Sequence, residues 1–298
     1  MNDQSERNSQ AESHIGSLQW HGCYFGPRGA VALAEQYYPK FEKTDTQTRF
    51  WACMSLASVY YSAASSAMAM FRHIKMLSKF NVYGMIKWVW VSYSLLKKAW
   101  IHAQTANFMM YEDKKLQVSS SDLDVLQSIA RKYYRTLLWG KPHGYKAKVV
   151  LGMATHLITK ALRMPDCTNI SRCLLLIGHA DLLYLQIEPR NEAKLRIAMF
   201  EILLEAWHTA MDMTVTDMDL VTKRQMARVF RHIKKMCERL IPFHKEVMPQ
   251  EYASYPSSAQ EMMNQASHLL CQYLDTCESE DQKLKAGIAL RLPPPASA

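Results

Sequence analysis

Hydrophobic and polar positions repeat along this chain with spacings of three and four rather than two, and the prolines fall between the repeating segments. That pattern predicts an all-α protein of about ten helices in stacked antiparallel hairpins. The densest apolar segment, residues 50–71 (FWACMSLASVYYSAASSAMAMF), has no charged residue between Arg49 and Arg72. Its Ala and Ser side chains recur at helical spacing, which lets a second helix approach closely, so this is expected to be the tightest-packed part of the assembly.

The individual elements follow from the same reading. A short helix is expected over 30–38, closed by Pro39, and a second enters the charge-free segment from Thr44 and Asp45. The cluster Ser62, Ser65 and Ser66 predicts a turn, followed by a helix over 67–79. Residues 82–115 are apolar nearly all round, as one long helix or two with a break, and should be buried on several sides. Ser121-Asp122-Leu123-Asp124 has the form of a capping box opening a helix to about residue 139. Gly140-Lys141-Pro142-His143-Gly144 is the strongest break, and helices over 145–164, 170–187 and 191–211 follow. Thr216 and Asp219 cap a helix ending at Leu240, and a last helix starts at Ser257 or Ser258 and runs through about Cys277, toward Leu290. Residues 1–28 are expected to be a loosely ordered lead-in, 29–290 one helical domain, and 291–298 a Pro-rich disordered tail.

Pairs of helices over 45–79, 122–164 and 170–211 suggest stacked repeats, since one hairpin cannot bury its own apolar face. Leu56-Ala57-x-x-Tyr60 followed by Ala67-x-x-x-Phe71-x-x-Ile74 resembles a tetratricopeptide hairpin, with small residues where helices touch and an aromatic wedge between them. Ala154, Ile158, Ala161, Leu162 and Pro165 resemble the second helix and closing proline of another, and Gly178, Ala193, Ile197 and Phe200 give a fainter third echo. The first hairpin is shorter than that family's spacing and most closing prolines are missing. The resemblance implies an α-solenoid that binds a partner segment in its groove, and a compact irregular helical array stands beside it as the alternative.

Composition adds little to the fold and more to the partner. Hydrophobic residues make up 49% and charged residues 21% of the 298, the balance of a folded protein. The formal charge of +9 favours an acidic partner: nucleic acid, a lipid surface or an acidic protein. Seven cysteines, an odd number without CxxC, argue against a disulfide framework and for a reducing cytoplasmic or nuclear setting. The polar start MNDQSERNSQAESH lacks the basic end and apolar core of a secretory signal. Although 50–71 is long enough to span a bilayer, its serines and tyrosines speak against that, so a membrane is not the expected partner.

The leading candidate site is the segment TDMDLVTKRQMARVFRHIKKMCERL. Met226, Val229, Phe230, Ile233, Met236, Cys237 and Leu240 fall on one helical face. Arg224, Arg228, Arg231, Lys235 and Arg239 line the opposite one, flanked by Lys223 and Lys234 and offset only by Glu238. Like charges at this spacing repel, so phosphates, an acidic partner or acidic residues of a neighbouring helix should compensate them, unless the face is simply solvated. A secondary basic zone, Arg131, Lys132, Arg135, Lys141, Lys146 and Lys148, interleaves with Tyr133, Tyr134, Trp139 and Tyr145. Cations beside stacking aromatics suit single-stranded nucleic acid, while the same aromatics also suit a core.

Glu205 and His208 have the ExxH spacing of carboxylate-bridged di-iron helices, with Glu201 and Asp212 on the same stripe and His179 and Asp181 on the preceding helix. No second ExxH exists in the chain, so no metal is expected, and this stripe reads as an acidic face salt-bridged to the basic helix after it. There is no GxSxG, phosphate-cradling glycine loop or HExxH, so no cofactor and no catalytic residue is assigned. The methionine pairs Met109-Met110 and Met262-Met263 are read as core filling. The function expected is a non-enzymatic protein-protein interaction scaffold with a basic face for an acidic partner. Nucleic-acid binding through the same stripe is the alternative, and a helical enzyme or ligand binder with a pocket among Trp88, Trp90 and Trp100 is the third reading.

Overall fold

The structure is a computed structural model that describes residues 44–77, 82–138, 144–213, 218–241 and 255–289, together with positions 31, 32 and 36. Of the expected helix over 30–38 only positions 31, 32 and 36 are described, and they are helical; the lead-in 1–28 and the Pro-rich tail 291–298 lie outside the described residues. Among the described residues there are eight helices and no strand. They are α1 (Thr46–Leu77), α2 (Val82–Glu112), α3 (Ser120–Leu137), α4 (Tyr145–Leu162), α5 (Asn169–Tyr184), α6 (Glu192–Asp212), α7 (Leu220–Leu240) and α8 (Tyr255–Ala289). The chain divides into two compact units, Met1–Met164 and Pro165–Ala298.

In the first unit α1 and α2 form the most extensive helix pair, and α3 packs with α4 and against both long helices. The serine cluster does not turn: α1 runs unbroken through it for 32 residues. Ser62 and Ser66 face outward while Ala63, Ala64 and Ala67 are buried, so the helical period holds across the cluster. Packing of that small-residue face outweighs the modest helix preference of serine. The two halves of the first tetratricopeptide-like pattern therefore sit on one helix, and the hairpin partner of α1 is α2. Close approach, as expected for this segment, is seen where Ser92 of α2 donates its hydroxyl to the Ala64 carbonyl at 2.8 Å, with Ala99, Ala103 and Ala106 of α2 fully buried.

Local chemistry sets the ends of these helices. Asp45 caps α1 by accepting from the Thr48 backbone N–H and hydroxyl, each at 2.9 Å. The capping box of α3 lies two residues earlier than the sequence suggests. Ser119 accepts from the Asp122 N–H, and the Asp122 carboxylate accepts from the Ser119 N–H. Residues 82–112 form one helix, but it is not buried on several sides, because one long stripe of α2 faces outward. The hairpin α3–α4 forms as the periodicity suggests.

The second unit consists of the hairpins α5–α6 and α7–α8, with α7 also resting on both α5 and α6. An aromatic column crosses three helices: Trp207 of α6 meets Phe230 of α7 edge-on at 5.9 Å, and Phe230 stacks on Tyr273 of α8 at 5.7 Å. Pro256 sits in the first turn of α8, where its missing N–H is not needed, so that helix opens earlier than Ser257.

Candidate functional site: the basic face of α7

Helix α7 begins at Asp219, whose carboxylate accepts from the Thr222 N–H at 2.7 Å. The Thr222 side-chain hydroxyl, and after it this backbone N–H, hold the Asp219 carboxyl below the usual carboxylate range. Met226, Val229, Phe230, Ile233, Met236, Cys237 and Leu240 are all buried, so the apolar face is the one the periodicity assigns. Burying it fixes the rotation of the helix and turns Arg224, Arg228, Arg231 and Lys235 to the outside. These four cations span roughly 17 Å at 1.5 Å per residue. No carboxylate of the described residues bridges Arg228 or Arg231, the centre of the stripe.

The two ends of the predicted stripe behave differently. Lys223 is half-buried, close enough to Tyr273 that its charge opposes the rise burial gives that phenol. Arg239 turns inward. Its Nη1 donates to the Asp181 carboxylate at 2.6 Å, its guanidinium lies 4.6 Å from the centre of the Tyr184 ring, and Met236 Sδ is 3.4 Å away. Arg196 then donates to the Arg239 carbonyl at 2.8 Å, covering an exposed end of the α7 backbone while paired with Glu192 four residues before it. Arg239 thus leaves the contact face and clasps α7 to α5. Sequence reasoning missed it because its angular position differs little from that of Lys235. The signal was Asp181, the one acidic residue of a largely apolar helix.

The ExxH stripe is put to other use. Glu205 pairs with Arg172 of the preceding helix at 2.6 Å rather than with the basic helix after it. Glu201, His208 and Asp212 are exposed, and among the described residues no three His, Cys, Asp or Glu side chains gather as metal ligands. Buried thiols Cys53, Cys173 and Cys237 are pushed up to about 11, 12 and 12 by burial, which keeps them protonated and unreactive.

Two of the four aromatics of the secondary basic zone belong to the core. Tyr133 and Tyr134 are buried, and Tyr133 stacks on Trp100 at 5.4 Å in the core of the first unit. Lys146 lies 5.3 Å over the same ring, Arg131, Lys132 and Arg135 are half-buried and engaged, and Tyr145 is exposed. Lys141 and Trp139 lie outside the described residues. Nor do Trp88, Trp90 and Trp100 share one environment: Trp100 is in the core and Trp90 is on the surface. No helix among the described residues is long and apolar enough to cross a membrane. Comparison with protein-family models, curated proteins and solved structures finds no match for the chain.

Proposed function

We propose that this chain is a non-enzymatic interaction scaffold whose helical hairpins, tetratricopeptide-like in their small-residue contacts, present the outer face of α7 to an acidic protein segment. The observation that supports this most directly is the outward row Arg224, Arg228, Arg231 and Lys235, with no carboxylate of the described residues bridging its two central members. Three of the four are arginines, whose planar forks bind carboxylates through paired hydrogen bonds. The row supplies electrostatic steering, and the buried opposite face keeps it rigid.

A nucleic-acid partner would use the same cations. The aromatics of the secondary zone give it little support, because Tyr133 and Tyr134 are core residues rather than stacking platforms. A cytoplasmic or nuclear setting is the environment this reading assumes, in keeping with the free thiols of the described cysteines.

The test is a tagged pull-down of the wild type and of Arg228→Glu/Arg231→Glu from native lysate, each divided into nuclease-treated and untreated halves. A protein that survives nuclease and is lost from the variant supports the scaffold. Recovered RNA or DNA whose affinity falls steeply with salt, with a slope shallower by about 2 in the double variant, moves the function to nucleic acid. A variant that retains every partner removes α7 from the site.

A further inference from the structure

Helix α2 carries a second surface in the first unit, separate from the face of α7. Its outward residues include Tyr83, Ile86, Trp90, Lys97, Ile101 and Phe108, spaced three, four or seven apart on one side of the helix, and the stripe ends at Tyr111, which stacks on His156 of α4 at 5.8 Å. The large apolar ones are far from covered: Tyr83 is 80% exposed, Trp90 69%, Phe108 59% and Ile101 49%. The stripe is about 42 Å long at 1.5 Å per residue. Solvent-facing aromatics in a row of this length are not the ordinary scatter of surface hydrophobes.

The distribution of charge says what fits there. From Val82 to Tyr111 the helix has Lys87, Lys97 and Lys98 and no carboxylate; Glu112 is the first. Lys98 leans over the Tyr60 ring at 5.4 Å, which leaves Lys87 and Lys97 on the outer stripe. Lys97 is its midpoint, fourteen residues from Tyr83 and fourteen from Tyr111. A second copy pairing along the full length of this stripe, parallel in register or antiparallel, would set Lys97 against its own counterpart, a repulsion at the centre of the interface. A bilayer is also a poor match, since membrane-surface helices keep their cations on the polar face and not in the middle of the apolar one.

We propose that the outer stripe of α2 docks an amphipathic helical segment of a protein partner, one that sets a carboxylate between apolar anchors. The anchors pack against Trp90 and Ile101, and the carboxylate meets the Lys97 ammonium. A helix laid along a helical face in this way reads the i, i+3, i+4, i+7 pattern already present here. The partner is bound by apolar burial and selected by one central charge.

The experiment selects a displayed library of 18-residue amphipathic helices, randomised on the apolar face and its borders, against the full chain. Counter-selection uses Trp90→Ser/Ile101→Ser, whose unfolding transition is checked against the wild type. Survivors are expected to carry Asp or Glu between apolar residues, and a synthetic survivor should lose affinity at least about tenfold for Lys97→Glu. Changing its acid to Lys should restore binding to Lys97→Glu. Arg228→Glu/Arg231→Glu should bind it unchanged, which keeps this face distinct from that of α7. Survivors without acid enrichment, no survivor dependent on Trp90 and Ile101, or no rescue by the charge swap would each overturn the proposal. So would concentration-dependent dimerisation abolished by Trp90→Ser/Ile101→Ser, which assigns the stripe to a second copy. Co-sedimentation with phosphatidylcholine/phosphatidylserine vesicles, lost in the same variant, assigns it to a membrane surface and overturns the proposal equally.

Discussion

Asp181 and Arg239 are 58 positions apart in the chain and meet at 2.6 Å with most of both side chains out of water. A pair of this kind is held as much by the penalty of separating it as by its attraction. Asp181→Ala should therefore destabilise the protein by about 3 kcal/mol, because it strands a guanidinium among Tyr184 and Met236. The double replacement Asp181→Leu/Arg239→Met should cost much less, and urea unfolding of the two variants separates these outcomes. His102 gives a second test. It stacks on Tyr60 with ring centres 5.6 Å apart, and burial, helped by the Lys98 charge, pushes it down to about 4. Unfolding returns it to its ordinary value of 6.5, so between pH 6.5 and 4 the unfolded chain binds a proton that the folded one refuses. Stability is full above that window and falls through it as pH drops, by about 3 kcal/mol in total. His102→Phe keeps the stack and should flatten this part of the pH–stability profile measured by denaturant melts.

At the level of single helices, the chain's local chemistry can be tuned without touching a partner. Gly152 lies inside α4, and a Cβ added there meets nothing within 4 Å. Gly152→Ala should stabilise by about 0.5–1 kcal/mol, through the lost freedom of the unfolded backbone, and raise the midpoint of thermal unfolding. Ser119→Ala removes half of the α3 capping box and should cost about 1 kcal/mol, whereas Ser121→Ala should cost little, in accord with the observed register. Helix α7 was the most legible element, since its apolar and cationic positions separate cleanly at 100° per residue. Helix α1 was the least, because its clustered serines suit a turn, and the alanines beside them, good helix formers that α2 covers, decide for the helix.

Across the whole molecule, the hairpin plan of 122–164 and 170–211 could be read from periodicity and breaks, and the structure contains both pairs. The first pair could not: its true partners are α1 and α2, two helices of more than 30 residues each. Arg228→Glu/Arg231→Glu changes only exposed side chains, so its unfolding transition should match the wild type within about 0.5 kcal/mol. Any binding it loses then belongs to the surface and not to the fold, which is what makes the pair a usable probe of the scaffold reading.

The sequence by itself determined that the chain is helical, where most helices begin and end, and which face of α7 is apolar, because these follow from short-range spacing and from caps within a few residues. Only the tertiary structure decided that Arg239 serves the core while Arg228 and Arg231 face outward, that Tyr133 is packed rather than presented, and that Trp90, Lys97 and Ile101 of α2 are exposed. Periodicity gives a helix its faces, but what covers each face is supplied by residues many turns away. Arg239 turns inward for Asp181 and Tyr133 for Trp100, while Trp90 and Lys97 of α2 are left exposed.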